Sequence, residues 1–212
     1  MLCAICQKRR PRRHCPGVRG EICAVCCGTE REVTVRCPSD CEFLMEARKH
    51  ERTEGLDPAT IPHRDITISE EFLEEHSALI ANLSGAFTGE ASHNGAVDLD
   101  AREALAGLIQ SYRTLQSGVI YESLPANPLA ADLHRAVKAA AAQFLAEERQ
   151  TIGIAKTRDA DILRALVFLD VLSIDRNNGR KYGRSFLDAL LGFQPAEASA
   201  GREERGSSLI LP

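Results

Sequence analysis

Apolar positions return at helical intervals through most of this chain, and they do so only after its first quarter. Phe72, Leu73, His76, Leu79, Ile80 and Leu83 recur three and four residues apart, which predicts a helix facing a core. Ser69 ahead of Glu70-Glu71 supplies a cap with acidic first-turn residues, and Gly85 marks the expected end. Asp100 is the expected cap of a second helix carrying Leu105, Leu108, Ile109, Tyr112 and Leu115 and closing near Gly118. The short segment Val119-Ile120-Tyr121 reads as extended.

Pro128 suits the first turn of a third helix capped by Asn127, with Leu129, Leu133, Val137, Ala141 and Phe144 or Leu145 on one face and an end near Arg149. A fourth opens at Thr157 or Asp159, presents a broad face from Ile162 to Val171, and stops at Asn177-Asn178-Gly179. A fifth runs through Ser185–Leu191 to Gly192. Short connections between five helices predict a bundle.

The front of the chain lacks this pattern. A short helix from Cys41 through Glu51 leads into a stretch with Pro58 and Pro62 that reads as a linker. The organisation expected is a cysteine-rich domain over 1–52, a linker over 53–68, a helical bundle over 69–193 and a disordered tail over 194–212. Aromatic residues make up only 5% of the chain and tryptophan is absent, a usage that favours helices over sheets. The fold class expected is mainly α, a small zinc-stabilised finger followed by a helical bundle.

No stretch has the uninterrupted apolar length of a membrane span, and Met1-Leu2-Cys3 leads at once into polar and basic residues, so the expected setting is cytoplasmic, with no membrane partner. A reducing compartment disfavours disulfides and leaves metal binding as the reason to gather thiols. All eight cysteines, Cys3, Cys6, Cys15, Cys23, Cys26, Cys27, Cys37 and Cys41, fall in the front domain. Cys3-x-x-Cys6 and Cys23-x-x-Cys26, separated by 16 residues, match the spacing of a zinc site. Cys15, Cys27, Cys37 and Cys41 supply the four thiolates of a second closed tetrahedron, so the count expected is two Zn2+ ions in interleaved sites. An alternative partition gives Cys23 and Cys27 to the first site and Cys26 to the second, and His14 or His50 are possible substitutes for a cysteine.

The strings Cys3-Ala-Ile-Cys6, Arg13-His14-Cys15-Pro16 and Ile22-Cys23-Ala-Val-Cys26-Cys27 resemble the compact cross-brace fingers of the MYND and HIT type, which implies a protein-interaction module. Val18 stands where those fingers have a fourth early cysteine, and Cys27 is additional. The longer string through Cys37-Pro38-Ser39-Asp40-Cys41-x-Phe43-Leu44 is similar to an uncharacterised bacterial family with this finger at the N-terminus. That likeness implies a helical C-terminal body with a segment like Asn177-Asn178-Gly179-Arg180 near its end, and no activity.

Charge complicates the picture. Residues 1–52 hold 11 Lys and Arg against 7 Asp and Glu, and residues 53–212 hold 15 against 23. A basic head on an acidic body suggests nucleic acid, met by Arg9, Arg10, Arg12 and Arg13. A zinc ion with four thiolates, however, carries a net charge of about −2, so two sites cancel the excess. Arg176, Arg180, Lys181 and Arg184 form a second basic patch that reads as decoration of a helix connection, the alternative being contact with an acidic partner or phosphate. His63, His76, His93 and His134 have no acidic or cysteine partner at ligand or triad spacing, and no phosphate-binding glycine loop, nucleophile elbow or H-E-x-x-H is present. The chain therefore reads as a structural-zinc adaptor or regulator rather than an enzyme, its partner an unidentified protein. The alternative is a nucleic-acid-binding regulator using the basic loop.

Overall fold

A computed structural model describes residues 1–51 and 61–193. The expected tail and the first part of the expected linker, 53–60, lie outside the described residues.

The head begins with a hairpin, β1 (Arg13–Cys15) and β2 (Gly20–Ile22), paired antiparallel with Arg13 opposite Ile22 and Cys15 opposite Gly20. Helix α1 (Ala24–Glu30) follows, then α2 (Glu42–Arg48), whose N-cap is Cys41 as the expected short helix requires. Its interior is made of sulfur as much as hydrocarbon: Cys3, Cys15, Cys23 and Cys26 are buried together with Ile22 and Val35. Gly17 is obligatory here, because a Cβ would lie 2.6 Å from the Arg36 carbonyl oxygen.

The body is helical throughout, as the periodicity predicts, with α3 (Glu70–Glu75), α4 (Ser77–Asn94), α5 (Asp98–Gln116), α6 (Pro128–Ile152), α7 (Asp159–Asp175) and α8 (Ser185–Leu190). Ser69 accepts the Phe72 N–H as a cap, and Asn127 accepts that of Leu129 ahead of Pro128. The first two predicted helices differ from expectation at their boundaries. The first predicted helix breaks at His76 and its second part runs past Gly85, because Gly85 and Gly89 sit on the open side of α4 while Leu79, Ile80, Leu83, Phe87 and Ala91 are all buried on the other. Its terminator is Gly95, at φ +76, whose N–H returns to the Ala91 carbonyl. Helix α5 starts at Asp98, and Asp100 sits inside the first turn, accepting the Val97 N–H at 2.8 Å from there rather than capping from outside.

Helix α6 packs against both α4 and α5, α7 packs against α5, and α8 closes the end of α4. One continuous core of Leu, Ile, Val, Ala and Phe joins them. Residues 61–68 lie against this body: Ile66 and Ile68 pack on the core, and Asp65 takes both terminal nitrogens of Arg113, at 2.7 and 2.9 Å. The head touches the end of the bundle through Arg36, which donates to the Gly95 carbonyl at 3.3 Å and lies over the Tyr182 ring, and through Ser39 and Arg48, which both reach Asp188. Among the described residues no helix is long and apolar enough to cross a membrane.

Candidate metal centre

Four sulfurs converge in the head. Cys3 and Cys6 come from the loop ahead of β1, Cys23 is the N-cap of α1, and Cys26 lies in its first turn. Their Sγ atoms all fall within 4.8 Å of one another. Four sulfurs about 2.3 Å from a shared tetrahedral ion stand about 3.8 Å apart, so this arrangement fits one metal ion with little adjustment. Among the described residues it is the one such group of three or more ligand atoms.

The backbone is arranged to support negative sulfur. The Cys23 N–H donates to Cys3 Sγ at 3.2 Å, and the Cys26 N–H donates to Cys23 Sγ at 3.4 Å. Burial pushes the Cys3 thiol up, but amide donors from Cys6, Cys23 and Ile5 outweigh it and hold it down at about 6. Amides of Lys8 and Arg9 lower Cys6. Cys26 moves the other way, to about 12, through burial and three neighbouring thiols that compete for the same negative charge. Thiolate is favoured at Cys3 and Cys6 and disfavoured at Cys26, so four thiolates do not form together here unless a cation joins them.

The expected alternative partition thus has no counterpart in the tetrad, which contains Cys23 and Cys26 and not Cys27. The other four cysteines, Cys15, Cys27, Cys37 and Cys41, surround a small neighbouring pocket together with Phe43 and Leu44. Their sulfurs are less closely gathered than the tetrad. Arg13 donates to Cys27 Sγ at 3.3 Å while stacking over Phe43, and Arg31 approaches the same sulfur at 3.9 Å. Cys37 is raised by burial first, with Cys15, Cys41 and Glu32 adding to it against an amide donor from Glu32. His14 reaches the rim of this pocket with its Nδ1 3.2 Å from Glu21, and His50 is exposed, with Nε2 on Glu46.

The basic run divides between two roles. Arg13 by its place at Cys27 serves the sulfurs, whereas Arg9, Arg10 and Arg12 are exposed, the Arg9 charge favoured by the nearby Cys23 thiol. The second patch divides: Arg176 and Lys181 are exposed, whereas Arg180 lies 3.0 Å from Glu51 and 3.6 Å from Glu32 of the head, and Asn178 and the Arg184 N–H reach Glu32 while the Arg184 side chain donates to the Ala96 carbonyl. Three of the four body histidines have carboxylates distant in sequence: His63 lies 3.6 Å from Asp170, His76 3.8 Å from Asp161, and His134 3.8 Å from Glu122. Sequence spacing hides these pairs because each joins different helices or loops. The residue missed altogether is Glu32, which no motif marks and which is fully buried between head and body.

No protein-family model, curated protein or solved structure matches this chain.

Proposed function

We propose that the chain is a protein with two structural zinc ions that acts through the surfaces it presents to another protein, as an adaptor or regulator. The observation that carries the metal reading is the Cys3, Cys6, Cys23, Cys26 tetrad, a closed all-sulfur donor set of the kind zinc fills in structural sites. The second ion is assigned to Cys15, Cys27, Cys37 and Cys41, supported by their shared pocket and by the Arg13 and Arg31 donors at Cys27. The order of ligands along the chain then interleaves the sites, so neither ion closes a purely local loop. A head whose interior is largely cysteine needs that staple, since zinc binding supplies the folding free energy its few apolar residues do not. Four thiolates per ion leave no open position for water or substrate, which argues against metal catalysis.

The adaptor reading carries the interaction role implied by the resemblance to cross-brace fingers. Ile22 and Leu44, where an exposed apolar patch would have favoured it, are both buried at 1% exposure. Exposed apolar side chains include instead Leu2, Val25, Val33 and Met45 on the head and the run Val119, Ile120, Tyr121 and Leu124 between α5 and α6. The nucleic-acid alternative keeps the exposed Arg9, Arg10 and Arg12 but loses ground at Arg13, which is occupied at Cys27.

Native mass spectrometry of the reduced protein tests the metal reading. Two zinc ions per chain are expected, falling to one in Cys37→Ser. A native chain that binds one ion, with Cys37 dispensable, removes the second site, and a chain without zinc overturns the reading.

A further inference from the structure

Metal binding alone leaves Glu32 unexplained. It is the most deeply buried acidic residue among those described, at 0% exposure, and its backbone takes the left-handed φ of +55 that a non-glycine residue seldom adopts. A carboxylate is removed from water without loss only where donors replace its hydration. Here Oε2 accepts from Asn178 Nδ2 at 2.8 Å with Arg180 Nη1 3.6 Å away, and Oε1 accepts from Arg48 Nη2 at 2.8 Å and from the Arg184 N–H at 3.4 Å. The Glu32 carbonyl also accepts the Tyr182 N–H at 2.7 Å. Arg48 belongs to the head; every other donor lies in residues 178–184 of the body.

That body segment is shaped by its own bonds as well. Asn178 Oδ1 accepts the Arg180 N–H at 3.1 Å, Asn178 Nδ2 reaches Ser185 Oγ at 3.1 Å, and Gly179 turns the chain at φ +68. The loop that carries Glu32 leads from the end of α1, which holds Cys27, to Cys37. It is closed on the Glu30 carbonyl, which accepts N–H groups from Val33, Thr34 and Val35, and Val35 alone anchors it in the cysteine-lined interior. Beyond Val35 little apolar surface holds this loop to the head, and its place is set by its own hydrogen bonds, by the Arg36 contacts with Gly95 and Tyr182, and by the cysteines on either side of it.

We propose that residues 178–184 form a carboxylate receptor on the helical body, that Glu32 is the ligand it takes from its own head, and that metal in the Cys15, Cys27, Cys37, Cys41 site governs whether that ligand is presented. Loss of that ion lets the loop relax, withdraws Glu32, and leaves the Tyr182 and Arg184 amides open to solvent, while Arg180 keeps its 3.0 Å ion pair with Glu51. The head is then a metal-dependent plug on the end of the bundle. This inference rests on the two-ion reading.

Amide hydrogen exchange of the full reduced chain tests it, with zinc per chain counted in the same samples. Chelation is expected to speed exchange at Arg184 by roughly ten- to a hundredfold, the range for losing a charged hydrogen-bond partner, and at Tyr182 by up to about tenfold for a neutral one, while Leu108 and Val137 in the bundle interior are unchanged. Glu32→Gln is expected to keep both ions and still speed exchange at Arg184, and Cys37→Ser to keep one ion and match the chelated chain. Unchanged protection at Tyr182 and Arg184 after both ions leave overturns the proposal while the metal reading stands. Native-like exchange in Glu32→Gln overturns it too. A native chain that carries no zinc fails at the count, before any exchange is compared, and takes the metal reading down with it.

Discussion

The Asp98 carboxylate accepts the backbone N–H groups of Phe186 and Leu187, both at 3.0 Å, so the first turn of α5 caps the first turn of α8. The Asp98 N–H in turn donates to the Gly183 carbonyl at 2.9 Å, which fixes the receptor segment to the start of the same helix. A helix of six residues has few internal hydrogen bonds, and its first amides need partners from elsewhere. Burial pushes Asp98 up to about 6 against these amide donors, with Asp188 and Glu32 adding to the rise.

Because the folded chain holds the Asp98 proton more tightly than the unfolded one, the stability this group contributes is complete below its ordinary pKa of 3.8 and lost as pH rises through about 6. Asp98→Asn removes that titration. The difference in unfolding free energy between the native chain and the variant is expected to move against the native chain by roughly 2 to 3 kcal/mol between pH 4 and pH 7. Urea unfolding of both proteins across that window measures it, and comparison with the variant cancels the opposite trend from His134, whose burial lowers its pKa. A difference that is flat with pH would show that Asp98 stays ionised throughout.

Two helical glycines are expected to answer alanine in opposite directions. Gly89 is exposed in the middle of α4, with nothing within 4 Å of a new Cβ, so Gly89→Ala is expected to stabilise the body by about 1 kcal/mol through helix propensity. At Gly107 in α5 a Cβ would stand 2.5 Å from the Ser123 carbonyl oxygen and 3.3 Å from the His134 ring. Gly107→Ala must displace the connection that crosses α5 there and is expected to cost about 1 to 3 kcal/mol. Denaturant midpoints of the two variants against the native chain give both signs in one experiment.

Helix existence was legible because it follows from local spacing of apolar residues, and the Cys3, Cys6, Cys23, Cys26 grouping was legible because two thiols of one turn can reach one ion. What was hidden depends on partners far apart in sequence. Gly85 reads as a helix end in a single-chain pattern, yet the continuing face Phe87 and Ala91 finds a core to bury in and carries the helix past it. Asp98 looks like one more acidic residue near a helix start, and only the return of the chain at Phe186 gives it two amides to hold. Glu32 carries no motif, since its meaning lies in Asn178, Arg180 and Arg184, about 150 positions away. The same distance made Arg180 and Arg184 read as a solvated patch.

The basic run of the head supplies the last prediction. Arg13 donates to Cys27 Sγ and is held in place over the Phe43 ring at 4.3 Å, while Arg10, three residues earlier, is exposed. A donor to a ligating sulfur typically changes metal affinity by about 10- to 100-fold. On the two-ion proposal, Arg13→Ala is therefore expected to weaken zinc binding at Cys15, Cys27, Cys37 and Cys41 by that amount and leave binding at the tetrad unaffected, with Arg10→Ala changing neither. Competition against a chromophoric chelator is expected to show two separate steps. Equal zinc affinity in all three proteins would free Arg13 from the sulfurs and return it to the exposed basic surface, and salt-dependent binding to single- or double-stranded nucleic acid would then have the stronger claim on the whole run from Arg9 to Arg13.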